Sequence, residues 1–190
     1  MADNVKRRDL LIEIGCEELP PLALPMLSRA FEQSVLKGFE SLGFTGLSCR
    51  QYATPRRLAL LVSDVPEQQA EQVIERRGPA LQAAFDAKGN PTKAALGFAR
   101  SCGVEMSAIA RIENDKGGWL YFRTTQPGRA TRDCIPAVVE QALSELPIPK
   151  RMRWGDGDAE FVRPVHWIVL LFGGEAIQAS LLGVSSGNTT

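Results

Sequence analysis

Histidine is nearly absent from this chain, with His166 alone among 190 residues. A catalytic triad, proton relay or histidine-rich metal site would have to be built around that one imidazole. Cysteine is sparse and scattered, at Cys16, Cys49, Cys102 and Cys134. No C-x-x-C pair occurs and no histidine stands at zinc-ligand spacing, so no metal site is expected and the thiols read as reduced and inert. Net charge is absent too, because 22 Lys and Arg balance 22 Asp and Glu. Any contact with nucleic acid must then come from local patches and not from a field of the whole molecule. No apolar run approaches the roughly 20 residues needed to cross a bilayer. The opening "MADNVKRRDLLIEIG" carries Glu13 and no small-residue cleavage site, so neither signal peptide nor membrane partner is expected and the chain reads as cytoplasmic. Internal repeats and low-complexity tracts are missing as well.

The residues that are present, 44% hydrophobic and 23% charged, are those of a globular protein. The length suffices for one substantial core or two small ones. Leu10–Gly15 alternates as a strand, with Leu10, Ile12 and Ile14 on one face. Pro20 and Pro21 suit the entry to a helix, in which Leu27, Phe31, Val35, Phe39 and Leu42 recur at helical spacing until Gly43. Runs at 47–53 and 57–65 read as strands broken by the Thr54-Pro55 turn. A third strand is expected over 69–77, ended by Gly78-Pro79, and a short helix over 80–87. Thr92 is placed to cap a helix reaching Ser101. A hairpin follows, with Asp115 to Gly118 as its turn. The spacing of Ile135, Val138, Val139, Ala142 and Leu146 predicts a helix over 131–146. Strands at 165–172 and 176–182 are expected to flank Gly173-Gly174-Glu175, before a polar tail that reads as a frayed end or the cut edge of a longer protein. Hairpins separated by helices imply an α+β fold, mainly antiparallel sheet with packed helices. Residues 1–190 read as one such domain, with a subdivision near 66–92.

Four stretches carry candidate chemistry. "EIGCEELPP" sets Glu13, Glu17 and Glu18 around Cys16. A thiolate nucleophile would need His166 as its base, whereas carboxylates near a helix start also favour the dipole without any catalysis. "ATPRRLAL" places Arg56 and Arg57 beyond a proline-fixed turn, from which guanidinium forks could take phosphate or carboxylate. The plainer reading leaves one arginine solvated and pairs the other with an acid. "KGNPTKAALGFAR" superficially resembles an anion site, but lacks the G-x-x-x-x-G-K-[ST] spacing of a phosphate loop and the layout of a dinucleotide turn. It reads as a capped surface helix. In "LPIPKRMRWGDGDAEFVRPVHWIVLLFG", Pro147 and Pro149 impose an extended path from which Lys150, Arg151 and Arg153 emerge. Trp154 could stack on an unpaired base or pack on the core, and Arg163 precedes Pro164. The structural alternative makes Trp154 and Trp167 hydrophobic anchors and pairs the arginines with Asp156, Asp158 or Glu160.

Taken in order, "LLIEIGCEELPP", "YATPRRLAL", "RGPALQAAFDAKGNPTKAALGFARSCG" and the 146–173 stretch resemble the β subunit of the bacterial two-subunit glycyl-tRNA synthetases. The resemblance runs from Leu10 to about Gly183. One departure is Cys16, where the family pattern carries a small hydroxylated residue, which argues against an essential thiol. The family's β subunit is several times longer, so the resemblance implies an N-terminal fragment. It also implies a heterotetrameric α2β2 ligase whose α subunit binds ATP and magnesium and performs the aminoacylation chemistry. No cofactor is then expected in this fragment, and no catalytic residue carries over. The implied role is noncatalytic support of tRNA binding and assembly, with the α subunit, glycine tRNA and the remaining β-subunit domains as partners. Residues expected at the RNA or subunit interface are Arg56, Arg57, Lys150, Arg151, Arg153, Trp154 and Arg163. Two alternatives stand beside this reading: a pure scaffold module without RNA contact, and an independent enzyme using Glu17, Glu18, Cys16 or His166.

Overall fold

Strand alternation sets the main core. In the computed structural model, which describes residues 6–86, 88–114 and 117–190, Leu10, Ile12, Ile14 and Cys16 are fully buried along one row of the first strand. In chain order the elements are β1 (Arg7–Cys16), α1 (Leu24–Ser41), β2 (Ser48–Thr54), β3 (Arg57–Pro66), β4 (Gln72–Ala80), α2 (Leu81–Ala84), α3 (Lys93–Cys102), β5 (Ala110–Asn114) and β6 (Gly117–Gln126). There follow α4 (Thr131–Ser144), β7 (Met152–Arg153), β8 (Glu160–Phe161), β9 (Val165–Phe172), β10 (Glu175–Ala176), β11 (Ser180–Leu181) and β12 (Val184–Gly187). The fold is α+β with mainly antiparallel sheet.

The chain divides into two compact units, Met1–Gln69 with Arg129–Thr190, and Ala70–Gly128. The chain passes from one unit to the other at 69/70 and at 128/129. In the first unit the sheet order is β11-β12-β9-β1-β3-β2, with β10 also on β9. Helices α1 and α4 cover the face bearing Leu10, Ile12 and Ile14, joined by Phe31, Phe39, Leu60, Ile135 and Leu170 in one apolar cluster. A methyl group on Gly38 would stand 2.9 Å from Val138 Cγ1, so glycine lets the two helices approach there. The second unit is a three-stranded sheet, β4-β6-β5, with a small core of Ala84, Ala95, Ala99, Ile109 and Leu120.

Several boundaries differ from expectation. Pro20 and Pro21 lie in a turn closed by the Ala23 N–H on the Pro20 carbonyl (2.9 Å), and it is Pro25 that occupies the first helical turn. Thr92 does not cap α3 through its side chain, because its hydroxyl donates to the Ala83 carbonyl (2.7 Å). β4 runs past Gly78-Pro79 to Ala80, taking a register shift after Arg77. The helix expected over 80–87 shrinks to the single turn α2, and Ala87 lies outside the described residues, as do Asp115 and Lys116 of the β5–β6 turn. The strand expected over 176–182 stops after Ala176. Residues Leu182 and Gly183, both at positive φ, reverse the chain between β11 and β12. β12 then lies parallel to β9, so the polar tail is partly sheet. Ser186 is buried there because its hydroxyl oxygen pairs with the Ile177 carbonyl (2.6 Å) and the Ala179 N–H (2.8 Å).

Candidate functional site

Three of the four motif stretches meet at one end of the larger sheet. The loop after β1 threads between the β2–β3 turn and the lead into β9. The Cys16 and Leu19 amides donate to the Arg56 and Pro55 carbonyls (3.0 and 2.6 Å), and the Glu17 amide donates to the Pro164 carbonyl (2.9 Å). Backbone pairing thus places EIGCEELPP, ATPRR and VRPVHW within contact of each other.

On the sheet face away from the helices, Trp167, Gly15 and Arg57 form one cross-strand row. A methyl on Gly15 would fall 1.8 Å from the indole, so the absent side chain is what lets the ring lie flat across β1. Trp167 Nε1 donates to Glu13 Oε1 (2.9 Å), and Arg57 Nη1 approaches Glu13 Oε2 (3.4 Å). The Arg57 guanidinium also sits 5.5 Å from the indole centroid. Glu13, only 8% exposed, is therefore a partnered carboxylate that fixes both Arg57 and Trp167. Arg57 is committed to the fold.

Arg56 is different. Its side chain is 55% exposed and 3.7 Å from Glu17 Oε1, which also meets His166 Nε2 at 2.8 Å. An exposed pair of this kind contributes about 0–1 kcal/mol, so Arg56 can leave Glu17 for another anion at little cost. It borders an open depression of about 690 Å³ lined by Glu18, Thr54, Pro55, Arg57 and Trp167. Cys16 takes no part. It is fully buried, and burial, followed by the Glu17 charge, pushes its thiol up to about 11, the reverse of what a nucleophile needs. His166 has Glu17 as its partner, which removes the thiol–imidazole pair from the candidates.

The hairpin β7–β8 adjoins this end through Arg163. Its Nε donates to the Glu18 carbonyl (3.0 Å), and Nη1 reaches the Val162 carbonyl (3.2 Å) and Met152 Sδ (3.0 Å). Arg163 is thus a brace between hairpin and loop. Arg151 donates to the Ser144 carbonyl (2.9 Å), closing the C-terminus of α4 as a cation should. Arg153 stays exposed, 3.6 Å from Asp158 across the hairpin. Of the acids proposed from sequence as arginine partners here, Asp158 alone forms an ion pair among the described residues. Trp154 is half-buried against the main core. Lys150 is exposed on the rim of an apolar groove of about 440 Å³ formed by Pro20, Leu22, Leu27, Pro149, Met152 and Val162. Leu22 is 97% exposed. Among the described residues, no three His, Cys, Asp or Glu gather as a metal site, and no helix is long and apolar enough to cross a membrane.

A family model described as the glycyl-tRNA synthetase beta subunit matches residues 10–190. The chain belongs to the glycyl-tRNA synthetase beta subunit family. Curated glycine–tRNA ligase beta subunits are similar along nearly all of it. The protein of Hahella chejuensis is 52% identical over 98% of this chain and 27% of its own length. That of Marinobacter nauticus is 48% identical over 96% and 26%, and that of Edwardsiella ictaluri 49% over 95% and 26%. The chain therefore spans about a quarter of the length of these relatives.

Within this family member, the sequence pattern picked out Arg57 at the sheet end but not Glu13 as the carboxylate that holds it and Trp167. A signal was present, since a carboxylate in the middle of a buried strand needs a partner. Nothing in the sequence showed that Gly15 makes room for Trp167, because that requires the neighbouring strand.

Proposed function

We propose that this chain is a noncatalytic module of a glycine–tRNA ligase beta subunit. It supports tRNA binding and assembly with the catalytic α subunit in a cytoplasmic α2β2 enzyme, where ATP and magnesium act on the α subunit. The observation that carries the RNA contact is Arg56, exposed on a proline-fixed turn and weakly held by Glu17. Arg153 and Lys150 extend the cationic edge through the Arg163 brace. Arg57, Arg151 and Arg163 position that edge in this reading, and Trp154 anchors the hairpin.

The test is a titration of the chain and of its Arg56→Ala/Arg153→Ala variant with glycine tRNA across a range of salt. Removing one cation from a phosphate lowers the log–log salt slope by about 0.9, so a fall of one to two is expected. An unchanged slope would remove both arginines from the interface.

A second contact, with the α subunit, is favoured by one observation: Leu22 stands almost wholly exposed at the apolar groove. Leu22→Asp should then weaken assembly with the α subunit while leaving tRNA affinity unchanged. Undiminished assembly would exclude the groove.

A further inference from the structure

The smaller unit carries a second surface that the sheet-end cations do not explain. Paired residues of neighbouring strands share a face. Glu75 pairs with Arg123, Arg77 with Tyr121, and Trp119 with Ile112, so all six lie on one face of the β4-β6-β5 sheet. The other face is occupied by the small core, where Leu120 is fully buried and Phe122 packs beside it. On the first face Ile112 is 44% exposed and Glu75, Arg77 and Arg123 are exposed, with Trp119 and Tyr121 half-buried among them.

Its contents form a platform of planar groups. The Arg77 guanidinium lies 3.7 Å from the Trp119 ring centroid, a preassembled cation–π pair whose arginine is exposed. Tyr121 stands two residues further along β6, roughly 7 Å away along the strand, its hydroxyl beside Glu75, which raises its pKa. Glu75 also holds Arg123 at 3.6 Å. The face thus carries two guanidiniums and one carboxylate. The unit as a whole holds eight Lys and Arg against six Asp and Glu, in a chain where the two classes are equal.

We infer that this face binds unpaired nucleotides of RNA, with bases stacking on the Arg77–Trp119 pair and on Tyr121, and with Arg77 and Arg123 meeting the phosphates. Bases stack on aromatic rings and on guanidinium planes, and single-strand sites combine such stacking with cations along the backbone. A protein partner is the competing occupant, since Trp, Tyr and Arg are enriched in protein interfaces too, but the local excess of cations over carboxylates favours a polyanion. The inference deepens the RNA-binding reading but does not use Arg56 or Arg153.

The test uses the full chain and fluorescein-labelled oligouridylate of about ten nucleotides, beside a duplex RNA of the same length, at about 50 and 200 mM salt. Tighter binding of the single strand, with quenched tryptophan emission, is expected. Trp119→Leu should weaken it at least about fivefold, since one stacked base is worth that much or more. Trp119→Phe keeps a ring and should retain most of the affinity, and Arg77→Gln should lower the salt slope by about 0.7. These two milder variants decide the matter if Trp119→Leu does not fold. In the Arg56→Ala/Arg153→Ala background the loss caused by Trp119→Leu should persist undiminished, which separates this face from the sheet end. Equal affinity for the duplex, full affinity in Arg77→Gln and Trp119→Leu, or no binding at the lower salt would overturn the inference, the last leaving the face to a protein partner.

Discussion

Gly15 and Glu13 occupy adjacent outward positions on β1, and together they hold Trp167 and Arg57 in place. Because a Cβ at position 15 would fall 1.8 Å from the indole, Gly15→Ala must drive the ring off β1 and away from Glu13. A destabilisation of about 1–3 kcal/mol is expected from such overpacking, read as a lower urea midpoint with an unchanged slope. At Cys16, buried, and Cys49, half-buried, the consequence is chemical. Cys16 and Cys49 are both pushed up to about 11, chiefly by burial. At about pH 8 both should alkylate slowly until denaturant is added, which peptide mass spectrometry would show. Their folded-state values lie above those of the open chain. The stability they contribute is therefore complete below about pH 8.5 and is lost as pH rises toward 11. Rapid labelling of Cys16 in the folded chain would contradict its burial.

Among elements, the junctions are more informative than the strands. Arg8 on β1 joins Glu67, just beyond β3, and Glu175 at the start of β10 (3.1 Å), and Arg132 in the first turn of α4 also meets Glu175 (3.6 Å). The network ties both points where the smaller unit departs to the middle of the larger sheet. Arg8→Gln should lower the thermal midpoint, and the deficit should shrink near about 1 M salt, where exposed pairs are screened. A deficit indifferent to salt would assign Arg8 a packing role against Gly173 instead. The helices were legible from spacing because an amphipathic stripe repeats over several turns. The short strands β7 and β8 were not, and β10 and β11 were read as one strand over 176–182, because two-residue pairings have no period and exist only through their partners.

At the scale of the whole chain, residues 70–128 form an insertion whose ends close on each other. The Gln69 amide donates to the Arg129 carbonyl, and the Arg129 amide donates to Gln69 Oε1, each at 3.0 Å. The hydroxyl of Thr131 also donates to the Pro66 carbonyl. Replacing 70–128 by a short turn should leave the larger unit folded, with one cooperative urea transition by circular dichroism. A noncooperative product would show that the larger unit needs the insertion. Composition gave little warning of this division, since no linker of distinctive composition marks either seam.

By itself the sequence determined the α+β class, the long helices and the family, because apolar periodicity and ordered motifs are local properties of the chain. It also placed Arg56, Lys150 and Arg153 among the candidates from charge and proline alone. Only the tertiary structure separated these exposed cations from Arg57, Arg151 and Arg163, which are held by a carboxylate, a helix terminus and a loop carbonyl. It alone assembled Arg77, Trp119 and Tyr121 on one face. The physical reason is the same in both cases. What a charged or aromatic side chain is free to do depends on the partners that sheet register and chain crossing bring to it, and those partners lie tens of residues away along the chain.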